Sequence, residues 1–213
     1  MENIEQELHT EATPEPLPEA QPELQVPEEM QLPEQEKIHW GRLALDIIET
    51  LVLAVVLFLG INAVSARVRV DGFSMIPTLQ DGEFVLVSKL NYQLGKPERG
   101  DIIVFHYPVD PKQELIKRVI GLPGDTIGVQ NGQVSVNGQV LDEPYIAASP
   151  AYTGEWKVPD GQLFVLGDNR NDSSDSHSWG FLPSEKVVGK AVVIYWPPSL
   201  WEVIRHAKIP ATQ

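Results

Sequence analysis

Hydrophobic and polar positions divide the chain into three regimes. Residues 1–37 scatter Leu and Ile among Glu, Gln and Pro, with neither a helical nor a strand period. Residues 43–66, LALDIIETLVLAVVLFLGINAVSA, form one apolar stretch of 24 residues, uncharged from Leu51 to Ile61. A bilayer core takes about 20 helical residues, so the pattern predicts a transmembrane helix over 43–66. Its polar exceptions, Arg42, Asp46 and Glu49, follow i, i+4, i+7 spacing and share one face near the helix start. Beyond Ala66 the pattern becomes short β-branched runs: Phe84 to Val87, Ile102 to Tyr107, Leu115 to Ile120, Thr126 to Val129, Gln133 to Val136, Leu163 to Leu166 and Val187 to Tyr195. Turn signals separate them, among them Asn131-Gly132 and Asn137-Gly138, which suit two-residue hairpins. The expected fold is mainly β: an antiparallel domain over 67–213, preceded by one transmembrane helix, with Leu141 to Asp160 as a looser insertion.

Charge refines the first regime. The net charge is −14, and the eleven glutamates of residues 1–37 stand against a single Lys37. Such a segment, broken by Pro14, Pro16, Pro18, Pro22, Pro27 and Pro33, buries too little apolar surface to offset the entropy of ordering. A disordered solvated leader is expected, with an acidic docking arm as the alternative. Nothing is basic enough to suggest nucleic acid. The absence of cysteine excludes disulfides, a thiol nucleophile and thiolate metal sites.

The apolar segment has two other readings. A buried core helix lacks other long amphipathic helices to surround it. A cleavable signal peptide is favoured by Ala63-Val64-Ser65 and Val64-Ser65-Ala66, which offer small residues where such peptides are cut, but the preceding stretch is long and acidic instead of short and basic. An uncleaved anchor is expected. Flanking charge leaves its orientation open, since Lys37 and Arg42 on one side face Arg67 and Arg69 on the other.

Several catalytic motifs are missing: no HExxH or other compact ligand spacing joins His9, His39, His106, His177 and His206, and neither GxSxG nor a glycine-rich phosphate loop occurs. A serine and a lysine remain. Ser74 lies between Gly72, which permits a sharp turn, and Pro77; the bend suits an exposed nucleophile or merely a turn. Lys117, in Glu114 to Asp125, shares a strand face with Leu115 and Val119. An amine on an apolar face loses proton affinity through desolvation and becomes a base, unless it snorkels to water. The polar run Gly167 to Gly180 reads as a surface loop or as a set of groups that orient the amine.

Together these stretches resemble the type I signal peptidases, membrane-anchored Ser-Lys endopeptidases that remove signal peptides from exported preproteins. The likeness runs in order from the anchor through SMIPTL at 74–79, GDIIVF at 100–105 and KRVIGLPGD at 117–125 to GDNRNDSSDSHSWG at 167–180. It implies Ser74 as nucleophile, Lys117 as general base, Ser173 as the hydroxyl that hydrogen-bonds the lysine amine, and Arg118, Asp168 and Asp175 as a supporting polar network. It also implies a β-rich catalytic domain with an apolar face near the bilayer, on the extracytoplasmic side of a cell membrane and in proximity to the secretion translocon. No cofactor or metal is implied. Phe73, Met75, Trp196 and Trp201 are candidates for the membrane interface. Ala66 and Ser74 are eight residues apart, which keeps the serine within about 26 Å of the helix end.

Two positions depart from the family. Gly72 stands where some members carry a serine that helps form the oxyanion hole, so backbone N–H groups near Gly72 and Ser74 must supply more of it. Asp175-Ser176-His177 replaces Asp-Ser-Arg, exchanging a permanent cation for one that titrates near neutrality. The competing readings are a self-cleaving Ser-Lys repressor, which would carry a DNA-binding module where the membrane helix stands, and a non-enzymatic membrane-tethered β-domain.

Overall fold

The computed structural model describes residues 40–209. The acidic leader expected over 1–37 lies outside the described residues. The chain divides into two units, Met1–Asp46 and Ile47–Gln213. Of the first, only the beginning of helix α1 (Trp40–Val64) is described.

Helix α1 has 25 residues, about 38 Å at about 1.5 Å per residue, and none of them is buried. It is long and apolar enough to cross a membrane. A core helix would be wrapped by other elements, and this one is not. The helix begins before the expected Leu43 and ends at Val64; Ser65 and Ala66 already belong to strand β1 (Ser65–Arg69). Hydropathy could not mark that boundary, because Ala66 and Val68 pack against the domain core and are as apolar as the helix.

The remaining strands are β2 (Phe84–Ser88), β3 (Ile102–His106), β4 (Glu114–Gly121), β5 (Thr126–Gln130), β6 (Gln133–Val136), β7 (Gln139–Val140), β8 (Gly154–Lys157), β9 (Gln162–Leu166), β10 (Leu182–Pro183), β11 (Val187–Trp196) and β12 (Glu202–Val203). Short helices α2 (Leu90–Leu94) and α3 (Ser176–Trp179) lie between β2 and β3 and between β9 and β10. The larger sheet runs β1-β2-β11-β3-β4-β9-β10, with β12 also on β11; the smaller runs β7-β6-β5-β8. Every pairing is antiparallel.

Both hairpins of the smaller sheet turn on the expected pairs. Asn131 and Asn137 have φ of 52° and 51°, and the glycines after them 75° and 84°, the left-handed geometry that two-residue turns require. The looser insertion contains β8, whose Gly-Glu-Trp-Lys sequence has no apolar alternation; Trp156 nevertheless packs on Phe164 with ring centroids 5.1 Å apart.

The central strands β3, β4 and β9 are buried on both faces. Met75, Leu79, Val85, Ile102 and Val104 cover one face, and Ile103, Phe105, Val119, Val165 and Leu182 the other. A third cluster, around Ile120, Ile127, Val136 and Phe164, joins the two sheets. Met75 is buried in the first cluster, which removes it from the candidates for a membrane interface. Phe73 (57% exposed), Trp196 and Trp201 (62% exposed) remain accessible.

Candidate active site

Strand alternation places Leu115, Lys117 and Val119 on one face of β4 and Ile116, Arg118 and Ile120 on the other. Lys117 sits opposite Ile103 of β3 and is 3% exposed. Its Nζ lies 2.6 Å from Ser74 Oγ and 3.0 Å from the Ile116 carbonyl oxygen. Burial lowers its pKa to about 8, and the negative charges of Asp175 and Asp168 oppose that fall. The contact therefore joins an alcohol to an amine with an accessible neutral state near physiological pH. In that state the hydroxyl donates to the nitrogen lone pair.

Ser74 is carried on a loop closed at its base by Val70 N–H to Glu83 O (2.8 Å) and Gly82 N–H to Val70 O (2.9 Å). A helical turn, Leu79 N–H to Met75 O at 3.0 Å, drives Met75 and Leu79 into the core and leaves Ser74 beside the lysine. Gly72 adopts φ +98°, so the turn needs glycine there. Its N–H donates to Asp81 Oδ1 at 2.7 Å. Gly72 is thus a turn residue whose amide is already engaged, which corrects its expected share in the oxyanion hole. The Ser74 N–H makes no hydrogen bond within the described fold and remains the amide available there.

The polar run beginning at Gly167 packs directly behind the serine. Asn169 N–H donates to Ser74 O at 3.0 Å, and Asn169 Nδ2 donates to Phe73 O at 3.1 Å. Asp168 forms a bidentate pair with Arg118, Nε to Oδ1 at 2.8 Å and Nη2 to Oδ2 at 2.6 Å, and also accepts the Thr78 hydroxyl. Both charged groups are fully buried, an arrangement tolerated only because each neutralises the other. Arg118 further donates to Gly100 O at 2.9 Å, and the Tyr145 ring covers its guanidinium at 4.0 Å. Asp175 caps α3, accepts Gly167 N–H at 2.9 Å on Oδ2, and meets His177 Nδ1 at 2.6 Å on Oδ1. That carboxylate raises the pKa of His177, while the imidazole stacks on Tyr152 at 4.1 Å.

Ser173 stands in the site without the expected bond. Its Oγ is buried and has no hydrogen-bond partner among the described residues, while the lysine amine is engaged by Ser74 and Ile116. The side chain is held close by Gly167, where an added Cβ would come within 2.2 Å of Ser173 Oγ and 2.5 Å of Ser74 O. Sequence reasoning missed Gly167, Thr78, Asn169 and Tyr145 as participants. Thr78 had a usable signal, one helical turn after Ser74; Tyr145 had none.

A cavity of about 420 Å³ between the C-terminal segment and the smaller sheet is lined by Arg118, Leu141, Tyr145 and Ile209. Neither Ser74 nor Lys117 lines it, so it is not where a scissile bond would meet the serine. Among the described residues no cluster of three or more His, Asp and Glu converges as metal ligands.

Residues 44–196 match the family described as signal peptidase, peptidase S26. Probable signal peptidase I-2 of Synechocystis sp. is 50% identical over 161 residues, covering 72% of this chain and 73% of that one. Signal peptidase I of Leptolyngbya laminosa is 48% identical over 159 residues, 70% of this chain and 78% of that one. Signal peptidase I of Bacillus caldolyticus is 43% identical over 143 residues, 60% and 78%. The matched region holds Ser74, Lys117 and the whole polar loop behind them, and the chain belongs to the signal peptidase family, peptidase S26.

Proposed function

We propose that Ser74 is the nucleophile and Lys117 the general base with which this serine endopeptidase cleaves signal peptides from preproteins. The observation that carries the assignment is the 2.6 Å contact between Ser74 Oγ and an almost fully buried amine whose pKa is lowered to about 8.

Neutral Lys117 takes the Ser74 proton as Oγ attacks the scissile carbonyl carbon. The developing oxyanion meets the free N–H of Ser74. Lys117 then returns the proton to the departing amine, leaving an ester on Oγ. A second proton transfer to Lys117 activates water, which hydrolyses the ester and frees the carboxylate.

An extended substrate has a place to pair. Strand β9 accompanies β4 only from Arg118 onward, so no strand pairs with the Glu114–Lys117 stretch on that side among the described residues. Main-chain pairing along such an edge would lead a peptide toward the serine.

In this reading α1 is an uncleaved anchor and the β-domain works at the extracytoplasmic surface, in lipid contact and close to the secretion translocon. A signal peptide has an apolar run of about 7 to 15 residues before its cut site, so its scissile bond emerges near the depth at which α1 ends. Exposed Phe73, Trp196 and Trp201 fit the polar–apolar boundary of a bilayer.

The test is processing of a synthetic preprotein in detergent, with mass spectrometry locating the cut. Ser74→Ala and Lys117→Ala should each lose activity by at least about a thousandfold while keeping the β-sheet circular dichroism. Undiminished cleavage by either variant refutes the dyad.

A further inference from the structure

The segment between β7 and β8 meets the polar loop that backs the serine. It leaves the smaller sheet at Leu141, whose N–H donates to Val134 O at 2.8 Å, and turns soon after. Ile146 N–H donates to Glu143 O at 3.2 Å, with Pro144 at the second position of the turn, where its fixed φ is favoured. Farther along, the same segment meets the loop again: Asn171 Oδ1 accepts Ala151 N–H at 2.7 Å, and Asn171 Nδ2 donates to Ser149 O at 2.9 Å.

The turn presents one carboxylate and one ring. Glu143 accepts both ends of the Arg170 guanidinium, Nη1 at 2.7 Å and Nη2 at 2.6 Å, and the Tyr145 hydroxyl donates to Glu143 Oε1 at 2.7 Å. Burial and the charge of Glu143 push the phenol pKa up, so the hydroxyl stays a donor. The Tyr145 ring centroid lies 4.0 Å from the Arg118 guanidinium and 5.9 Å from that of Arg170, both inside the reach of about 6 Å over which a ring attracts a cation. Two buried arginines so close together require two anions, and each has its own: Asp168 for Arg118 and Glu143 for Arg170.

The two arginines hold consecutive residues of the loop. Arg170 Nε donates to Gly167 O at 3.1 Å, and Arg118 grips the Asp168 carboxylate. The next residue, Asn169, donates its N–H to Ser74 O and its Nδ2 to Phe73 O. Contacts therefore run without a break from the turn, through two cations, to the backbone of the nucleophile.

We propose that Glu143 and Tyr145 are positioning residues for the reaction: they bracket residues 167–169 through Arg170 and Arg118, and so fix the backbone of Ser74 beside Lys117. The inference rests on the dyad proposed above. Neither residue hydrogen-bonds to Ser74 or Lys117; both act through the loop. Without the bracket, residues 167–169 can drift and carry Ser74 with them, and a few tenths of an ångström are enough to lengthen the 2.6 Å contact between Oγ and Nζ. The open edge of β4, proposed above to pair with substrate, is not part of the bracket, so the loss should fall on kcat.

The experiment measures preprotein processing by the full chain in detergent, at a temperature where circular dichroism shows each variant folded. Tyr145→Leu should lower kcat at least about tenfold and change KM by less than about threefold, and Tyr145→Phe, which keeps the ring, should recover most of the loss. A ring that only filled space would affect Tm and leave kcat alone. Glu143→Gln keeps the shape of the side chain and removes its charge; it should lower kcat in the same selective way, and it decides the matter if Tyr145→Leu does not fold. Unchanged kcat in folded Tyr145→Leu or in Glu143→Gln, a loss carried by KM, or equal losses in Tyr145→Leu and Tyr145→Phe overturns the inference. Ser74→Ala, run beside them, isolates the dyad. Its undiminished cleavage overturns that reading, whereas an inactive Ser74→Ala beside fully active Tyr145 and Glu143 variants overturns the bracket alone.

Discussion

His177 Nδ1 lies 2.6 Å from Asp175 Oδ1, and Asp175 is one of the two carboxylates that raise the proton affinity of Lys117 against the effect of burial. A titrating imidazole is therefore joined through one buried carboxylate to the proposed base. When His177 is protonated, its charge offsets that of Asp175 and the lysine becomes easier to deprotonate. When His177 is neutral, Asp175 acts on the lysine undiminished.

Replacing His177 by arginine should make the offset permanent. Because activity requires neutral Lys117, the acidic limb of kcat/KM should move to lower pH, by up to about one unit. The shift should be largest above the pKa of His177, itself raised by Asp175, since below it the wild-type imidazole already carries a charge. His177→Gln, with no cation at any pH, should move the limb the other way only where the wild-type imidazole is charged, and match the wild type where it is neutral. Superimposable profiles for the three proteins would remove any role for the histidine charge.

The lowered lysine pKa also implies a stability cost. A shift from 10.5 to about 8 corresponds to about 3 kcal/mol, at about 1.4 kcal/mol per pH unit, favouring the unfolded state wherever both states are protonated. The cost is complete below pH 8, shrinks as pH rises toward 10.5 and vanishes above it. Lys117→Met should accordingly raise the Tm at pH 6 and lose that advantage near pH 10.5, while abolishing cleavage. Equal Tm at pH 6 for the two proteins would contradict a desolvated amine.

Much of this was legible in the sequence where one local rule decides the outcome. Asn131-Gly132 and Asn137-Gly138 specify their turns through backbone φ alone, and alternation put Lys117 on the same face as Leu115 and Val119. What escaped depends on tertiary partners. Strand β1, Ser-Ala-Arg-Val-Arg, opens with two small residues that the apolar run includes, and they join a strand because β2 lies beside them. Strand β8 has a single large apolar residue, Trp156, whose packing surface is Phe164 from β9. The bond expected from Ser173 to the lysine amine failed at the level of side-chain direction, which residue order does not encode.

The Arg118–Asp168 pair should reveal itself as a coupled unit. Arg118→Met leaves a buried carboxylate whose cationic partner is gone, and should cost about 3–5 kcal/mol in chemical denaturation. Asp168→Leu strands the guanidinium in the same way. Removing both should cost clearly less than the sum of the single losses, although the Arg118 bond to Gly100 O and the Thr78 bond to Asp168 are lost too. Additive losses would mean that the two residues act independently, contrary to their bidentate geometry.

Gly167→Ala tests whether close packing behind Ser74 sets the position of the nucleophile. The added methyl would approach Ser173 Oγ at 2.2 Å and Ser74 O at 2.5 Å. The hydroxyl can turn aside, but the carbonyl belongs to the backbone of the nucleophile itself and can yield only if the loop moves. A displacement of a few tenths of an ångström lengthens the 2.6 Å contact with Lys117, so kcat should fall by at least about tenfold with a smaller change in KM. The methyl would also meet Ser173 Cβ at 2.6 Å, so the double variant Gly167→Ala/Ser173→Gly separates the Ser173 side chain from the carbonyl. It removes both contacts with Ser173 and leaves the one with the carbonyl, so activity should stay low. Recovery in the double variant would assign the defect to Ser173 and show that the backbone of Ser74 had not been displaced.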